Sequence, residues 1–260
     1  LIGAALSANK GAAAMVETVV AQLPSVVGPC DFSLLTTYPT YDASHVPTSS
    51  PVQVVGLQPL RLAVLELPIA VLASIARLFH LPLGWVRARG CRVMLNSDVV
   101  VDVAGISFAD GRGLPITVYN AMMTGVPLLL GVPTVKAAQA LGSFNTQPNK
   151  FLAKLVLPRL TAICARGART RQHLDSLSLS NVTDVADLAF SLDESATLPH
   201  SVTVKMPSPA DAFIVVMPSA VVRGLFEADG SNYVDAVAAL IASLRLETQR
   251  PVVVVPHSYR

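Results

Sequence analysis

The chain has 260 residues, of which 52% are hydrophobic and 14% charged, and its formal net charge is +2. A balance this close to neutral argues against nucleic-acid binding, which requires a concentrated basic surface. Cys30, Cys91 and Cys164 are widely spaced and form no CxxC pair, so they predict neither a disulfide framework nor a zinc site. The five histidines show no paired ligand spacing, and we predict no metal and no cofactor.

Strand-like apolar runs alternate with helical periods over most of the chain, which is typical of a parallel β-sheet covered by helices. The predicted strands are residues 1–5, 32–36, 52–56, 98–103, 127–130, 160–165 and 184–189. The predicted helices are 12–23, 62–79, 114–124, 148–157 and 168–177. Pro24 and Gly125 are predicted to end helices, and residues 39–50 to form a polar loop.

The pattern lapses in residues 193–211, which we interpret as a linker. A new unit follows, with predicted strands at 213–218 and 252–256 around a helix at 232–246. We therefore predict an α/β protein with two Rossmann-like domains that have parallel sheets. Residues 1–192 form the first domain, and residues 212–260 begin a second that is incomplete. We expect the sequence to be a fragment at both ends. Ligands of such proteins bind at the carboxyl ends of strands between the domains.

The most lipid-like segment is residues 60–85. Its longest uncharged window, 67–76, is 10 residues long. That is shorter than the roughly 18–20 residues needed to span a bilayer. A buried helix is the favoured interpretation. The alternative is an apolar surface that lies against a membrane or a lipid-linked substrate.

Polar residues follow the first predicted strand, where Asn9, Lys10 and Gly11 open a helix. The free backbone N–H groups and the positive end of the helix dipole favour an anionic substrate group there. The alternative is a plain turn in which Asn9 caps the helix.

Later strand ends carry further candidates. Asp110 and Arg112 lie in a glycine-flexible loop after residues 98–103, where Asp110 could orient a sugar hydroxyl and Arg112 could bind a phosphate or carboxylate. Asp102 is expected to make local backbone bonds. A long predicted loop after residues 127–130 carries Lys136 and two candidate substrate contacts, Gln139 and Ser143.

Arg166 and Arg169 follow the strand at 160–165, and the planar guanidinium fork suits carboxylate or phosphate. His257 follows the last strand, where it could act as a general acid or base. We expect Arg166 and His257 to be the catalytic residues.

Several segments together resemble the polysaccharide pyruvyl transferase family. They are GAALSANKGAAAM (3–15), DVVVDVAGISFAD (98–110), residues 125–157 with QALGSF, residues 163–190 with ICAR and VADLAF, MPS (217–219) and VPH (255–257). The sequence departs from the family pattern in three places. Val103-Ala104-Gly105 stands where relatives often have a glycine pair, Gly167 where many have an acid, and Ser143 where a proline is common.

The resemblance implies a glycosyltransferase-B-like fold with two facing α/β domains. It implies transfer of an enolpyruvyl unit from phosphoenolpyruvate to two hydroxyls of a cell-surface polysaccharide or its precursor, giving a pyruvate ketal. The partners would be phosphoenolpyruvate and a glycan or lipid-linked sugar acceptor. The family has an arginine that matches Arg166, and an essential histidine late in the second domain, beyond residue 260; His257 is the fallback.

The expected location is the cytoplasm, or the inner face of the membrane with peripheral contact. Two rival functions stay open on the sequence. One is a nucleotide-sugar glycosyltransferase of the same fold, and the other is a non-catalytic membrane-associated protein.

Overall fold

The computed structural model describes residues 1–47, 50–192, 212–228 and 230–255. The chain divides into two compact units. The first comprises Leu1–Ser7 with Gly11–Leu198, and the second Ala8–Lys10 with Pro199–Arg260. The predicted linker, 193–211, lies outside the described residues. The domain boundaries and the glycosyltransferase-B-like arrangement stay predictions.

Helices and strands alternate in the order expected of the α/β class. The first part of the chain contains α1 (Lys10–Val27), β1 (Phe32–Thr36), α2 (Pro39–His45), β2 (Val52–Gly56), α3 (Pro59–Arg61), a π-helical turn (Leu62–Glu66), α4 (Leu67–Leu78), α5 (Arg89–Leu95), β3 (Val100–Asp102) and β4 (Ile106–Ser107). It continues with α6 (Leu114–Leu130), β5 (Thr134–Leu141), α7 (Gln147–Val156), a 3-10 turn (Leu157–Arg159), β6 (Ala162–Arg166), α8 (Ala168–Asp175), β7 (Val182–Val185) and a 3-10 turn (Leu188–Ser191). Then follow β8 (Ile214–Val216), α9 (Ala220–Ala228), α10 (Tyr233–Thr248) and β9 (Val252–Val254).

All described strand pairs are parallel, which confirms the predicted sheet type. One sheet runs in the order β3-β5-β6-β7, and β4 also pairs with β5; β1 pairs with β2, and β8 with β9. Leu34 of β1 packs with α1, whereas Leu35 packs in the cluster that contains α4, α5 and α6. Helices therefore cover both faces of the sheet in the first unit, as in Rossmann-like folds.

The first two residues connect the β1-β2 pair with the larger sheet. Leu35 N donates to Leu1 O at 2.9 Å, and Ile2 N donates to Val101 O at 3.0 Å. The predicted strand 1–5 is thus reduced to a short bridge between β1 and β3. Strands β1 and β2 lie on one side of this bridge, and the chain then adds β3, β5, β6 and β7 on the other side. A parallel sheet with such a reversal has its ligand crevice at the carboxyl ends of the two central strands.

Three predicted segments are wrong. The long loop predicted after residue 130 contains strand β5 (Thr134–Leu141). Residues 127–130 belong to α6, which continues through Gly125 and ends at Gly131, in a left-handed conformation with φ +76°. Leu130 and Val126 are buried in the core, so packing holds this part of the helix despite the proline inside it. Residues 39–45 form α2 rather than a loop, because Pro39 suits the first helical turn.

Other boundaries shift without changing the element type. Helix α1 continues past Pro24 to Val27, and β7 is shorter than predicted because a 3-10 turn takes residues 188–191. Helix α9 (Ala220–Ala228) was not predicted. The remaining predicted strands and helices are found within a few residues of their expected bounds.

The lipid-like segment forms one helix, Pro59–Leu78, which we call the apolar helix. It has 20 residues, and by length and composition it is apolar enough to cross a membrane, although 28% of it is buried in the protein. Leu62, Ala70 and Ala73 on its inner face are fully buried in the core. Buried Glu66 accepts hydrogen bonds from Arg61 Nε at 3.1 Å and from the Cys91 backbone N–H at 2.8 Å. The prediction of a buried helix is therefore confirmed for the inner face of the apolar helix only.

A buried ion pair lies at the carboxyl end of β3. Lys136 Nζ of β5 is 2.5 Å from Asp102 Oδ2, and the two residues are 0% and 3% exposed. The Asp102 carboxylate also accepts bonds from Thr124 Oγ1 at 3.2 Å, Gln139 Nε2 at 2.7 Å and the Ala104 N–H at 3.1 Å. All of its acceptor sites are occupied, as is needed to offset the loss of water around a buried charge.

The same contacts explain an irregularity in β5. Lys136 and Gln139 are three residues apart, and in a regular strand they would face opposite sides of the sheet. Ala138 between them has φ +46°, and the β5-β6 register shifts there, so both side chains meet Ser107 on the same side. Lys136 Nζ donates to Ser107 Oγ and to Gln139 Oε1, each at 3.2 Å. Burial lowers the pKa of Lys136, and the Asp102 carboxylate opposes that shift.

We name Asp102, Ser107, Thr124, Lys136 and Gln139 the buried polar network. Lys136→Met should destabilise the protein by about 3–5 kcal/mol, because it leaves the Asp102 charge buried without a cation. Asp102→Asn/Lys136→Met removes both charges, and it should recover at least about 2 kcal/mol of that loss. Urea unfolding followed by circular dichroism measures both.

Lys154→Met, at an exposed lysine of α7, is the matched control and should change stability by no more than about 0.5 kcal/mol. A double variant no more stable than Lys136→Met would contradict the importance of the ion pair.

Candidate functional site

Parallel strands bring the loops that carry most of the predicted site residues to one edge of the sheet in the first unit. Arg166 is the last residue of β6 and lies at this carboxyl edge. Gly105, in the turn between β3 and β4, lies at the same edge. Such an edge is where open α/β sheets bind their ligands.

Arg166 is held by two groups. Its Nη1 donates to Asp187 Oδ2 at 2.6 Å, and its Nη2 donates to the Gly105 carbonyl at 3.0 Å. The two charged side chains are 25% and 30% exposed, so this is a partly solvated ion pair. Asp187 is fixed in turn, because its Oδ1 accepts the Ala189 N–H at 3.0 Å. A guanidinium group has five N–H donors, and these contacts use two of them. The arrangement fixes the plane of the guanidinium group and leaves donors for a carboxylate or phosphate.

Asp110 organises a second part of this edge. Its carboxylate accepts bonds from Thr146 Oγ1 at 2.6 Å, the Asn145 N–H at 2.6 Å, Asn149 Nδ2 at 3.0 Å and Ser143 Oγ at 3.0 Å. These bonds connect the loop after β4 to the loop between β5 and α7. Desolvation alone would raise the pKa of Asp110, but the hydrogen bonds outweigh it and lower the pKa to about 2.

The loop after β5 passes close to α8. Gly142 has φ +90°, and a Cβ atom there would lie 2.4 Å from His173 Nδ1, so no larger residue fits. The His173 ring is half-buried, and its Nδ1 lies 3.1 Å from the Leu141 carbonyl. The His173 ring thus stands beside Gly142, the residue that precedes Ser143.

The structure places the other predicted residues as follows. Gln139 lies in strand β5 rather than in a loop, and it is fully buried in the buried polar network. The side chains of Arg112 and Arg169 are exposed, and neither side chain forms an ion pair or hydrogen bond within the described ranges. Asn9 precedes α1, and Lys10 and Gly11 are its first residues. His257 lies outside the described residues. The substrate contacts assigned to all of these residues stay predictions.

Sequence reasoning missed two features of this edge. The sequence shows Asp187 only as part of an apolar run. An aspartate directly before a helical turn, here before Leu188, is nevertheless typical of a residue that caps the turn. His173 gave no usable signal, because its neighbour Gly142 is about thirty residues away in the chain. In residues 1–47, 50–192, 212–228 and 230–255, no group of three or more His, Cys, Asp or Glu could hold a metal ion.

The lowered pKa of Asp110 predicts a pH-dependent contribution to stability. The group binds its proton more weakly in the folded state, so its contribution is present above about pH 4 and is lost as the pH falls towards 2. We expect Asp110→Asn to be less stable than the unmodified protein by about 1 kcal/mol at pH 6, a value reduced for solvent screening, and the difference should vanish near pH 2.

Urea unfolding at a series of pH values measures this difference. Asp98→Asn is the control, since Asp98 is exposed and has no partner among the residues that the structure describes. A stability difference for Asp110→Asn that stays constant from pH 6 to pH 2 would show that the carboxylate charge does not hold the loop.

The comparisons with known proteins agree with the resemblance seen in the sequence. The family model for polysaccharide pyruvyl transferase matches residues 9–259, which is nearly the whole chain. No curated protein and no solved structure matches the chain significantly. Since the match covers far more than half of the sequence and both compact units, the chain is a transferase that belongs to the polysaccharide pyruvyl transferase family.

Proposed function

We propose that this transferase moves the enolpyruvyl unit of phosphoenolpyruvate onto two hydroxyls of one sugar in a cell-surface polysaccharide or its precursor. The product is a pyruvate ketal, and inorganic phosphate is released. Family membership supports the reaction class. The observation that carries the choice of donor is Arg166, fixed at the carboxyl edge by Asp187 and by the Gly105 carbonyl.

The reaction sets clear chemical requirements. Carbon 2 of the donor forms two C–O bonds to the sugar and loses two bonds, the C–O bond to phosphate and the π bond to carbon 3. Carbon 3 gains one proton and becomes a methyl group. The two hydroxyl protons balance the equation: one is matched by the proton on carbon 3, and the other leaves with phosphate or solvent. The enzyme must supply a proton donor, a base and cations for the carboxylate and the phosphate.

Arginines at this edge fit a donor with two anionic groups. Arg166 ends β6, Arg169 lies in the first turn of α8, and Arg112 lies in the loop that precedes α6. The first turn of α8 contains no acidic residue. The positive end of the α8 dipole therefore adds to the positive potential of Arg166 and Arg169. We assign the anion contact to Arg166, helped by Arg112 and Arg169, with Lys10 as a further candidate.

Other roles follow from the sequence. Asn9, Gly11 and Ser143 are proposed as contacts to polar substrate atoms, and His257 as a general acid or base. Gln139 is fully buried, and both ends of its side-chain amide are bonded within the protein. We therefore propose that Gln139 positions the turn after β3, and that Asp110 positions the loop after β5. The reaction is proposed to run in the cytoplasm or at the inner face of the membrane.

The proposed reaction can be tested directly. The purified protein is incubated with phosphoenolpyruvate and a series of glycan acceptors, and phosphate release is followed together with the mass of the glycan. We expect release that depends on the acceptor, and a glycan heavier by one pyruvate less one water. Transfer from a nucleotide sugar, with no phosphate released from phosphoenolpyruvate, would instead support a glycosyltransferase.

Arg166 is tested by substitution. Arg166→Ala should lower the rate of phosphate release about 100-fold, because a charge-stabilising donor is lost. Arg166→Lys should recover part of this loss through the retained charge, although a lysine lacks the planar fork. Asp187→Ala should raise the KM for phosphoenolpyruvate, because the guanidinium group loses the acid that orients it.

Arg171→Ala is the matched control. Arg171 also lies in α8 and pairs with an acid, Asp175 Oδ1, at 2.9 Å, but it is not at a strand end. Its loss should leave the rate within about twofold of the unmodified value, since an exposed pair of this kind contributes little. An unmodified rate for Arg166→Ala would rule out the role given to Arg166.

A further inference from the structure

The apolar helix exposes an apolar face opposite its buried one. The exposed residues include two adjacent pairs and are otherwise spaced three, four or seven positions apart, so they share one side of the helix. They are Val64, Leu65, Val71, Leu72, Ile75 and Leu78, and we call them the outer stripe. Leu72 and Leu78 are 56% and 76% exposed. The segment after the helix continues this character, with Phe79 71% and Trp85 43% exposed. Contiguous apolar surface of this kind marks an interaction site.

A groove extends the apolar surface beside the stripe. It lies between α4, α6 and α7 and has a volume of about 520 Å³. Most of its lining is aliphatic and includes Leu67, Val118, Leu129 and Leu155. Leu67 and Ser74 of the lining belong to the apolar helix, so the groove borders the helix that carries the outer stripe, within the first unit.

The charges within and just after the apolar helix have one sign. Residues 57–97 contain five arginines and one acid, Glu66, which is buried and bonded to Arg61. Of the other four arginines, Arg77 packs against Gly131 at the end of α6, and Arg87, Arg89 and Arg92 follow the helix in the chain. All four are exposed, and none forms an ion pair within the described part of the chain. The next acid, Asp98, precedes β3.

We propose that the outer stripe and its arginines bind an anionic phospholipid surface. An interfacial helix combines a wide apolar face with basic residues near it, and tryptophan is favoured at the level of the head groups. The inner face is fixed in the core by Leu62 and Ala73, so the apolar helix would lie in the plane of the interface. A second copy of this surface is a poorer occupant, because pairing it with itself would bring the arginines of both copies together.

Vesicle sedimentation tests the proposal. The 260-residue chain is mixed with vesicles of phosphatidylcholine alone or with 30% phosphatidylglycerol, at low and at high salt. We expect strong binding to the anionic vesicles, weak binding to the neutral ones, and loss of binding at high salt. Leu72→Ser/Ile75→Ser should weaken binding at least tenfold. Arg87→Gln/Arg89→Gln should weaken it by about 25-fold, or about fivefold for each charge.

Val26→Ser/Val27→Ser is the matched control, because these residues are 80% and 65% exposed at the end of α1 and lie outside the proposed surface. Its binding should equal that of the unmodified chain. If the stripe variant fails to fold, the arginine variant still decides the test. Arg87 and Arg89 are exposed, so their substitution should leave the fold intact. Equal binding to neutral and anionic vesicles would overturn the proposal. So would a stripe variant that turns a dimer into a monomer and leaves vesicle binding unchanged, because the occupant would then be a second copy.

Discussion

Lys136 and Asp102 are buried together at the carboxyl end of β3, and neither charge can remain in the interior without the other. The pair fixes the register of β3 against β5, where Asp102 lies opposite Lys136. The Asp102 carboxylate also accepts the N–H of Ala104 and so shapes the turn after β3. The carbonyl of Gly105 in that turn holds the guanidinium group of Arg166. The position of the candidate anion-binding arginine thus depends on a buried interaction between two neighbouring strands.

The ion pair of Arg166 with Asp187 has two opposing effects on anion binding. The carboxylate reduces the net positive charge of the site, but it orients the guanidinium plane and spares the substrate the cost of ordering a long side chain. Partial exposure of both groups weakens the first effect through solvent screening. Arg112 and Arg169 restore a positive balance at the same edge. The site that we propose for a donor with two anionic groups would therefore combine one oriented arginine with two exposed ones.

The high apolar content of the chain has two causes. Sheets covered on both faces require aliphatic residues on both sides of each strand, as Leu34 and Leu35 illustrate. The apolar helix adds a second source, because its outer stripe is apolar without being buried. Composition alone cannot separate these contributions, since both use the same residue types. The exposed arginines that follow the helix in the chain support the interaction surface proposed for it, and their exposure is visible only in the folded protein.

The sequence by itself determined the α/β class, most of the helices, most of the strands made of continuous apolar residues, the family and the position of Arg166 at a strand end. These follow from local patterns of side chains within a single segment. Only the tertiary structure decided that residues 134–141 form a strand. The polar side chains of Lys136 and Gln139 make this segment look unsuited to a buried strand, and their burial depends on contacts with Asp102 from another strand. The tertiary structure likewise decided that Asp110 holds the loop after β5 and that Asp187 orients Arg166. In each case the partners are 21 or more residues apart, and their pairing depends on how the strands are ordered in the sheet, which no local pattern records.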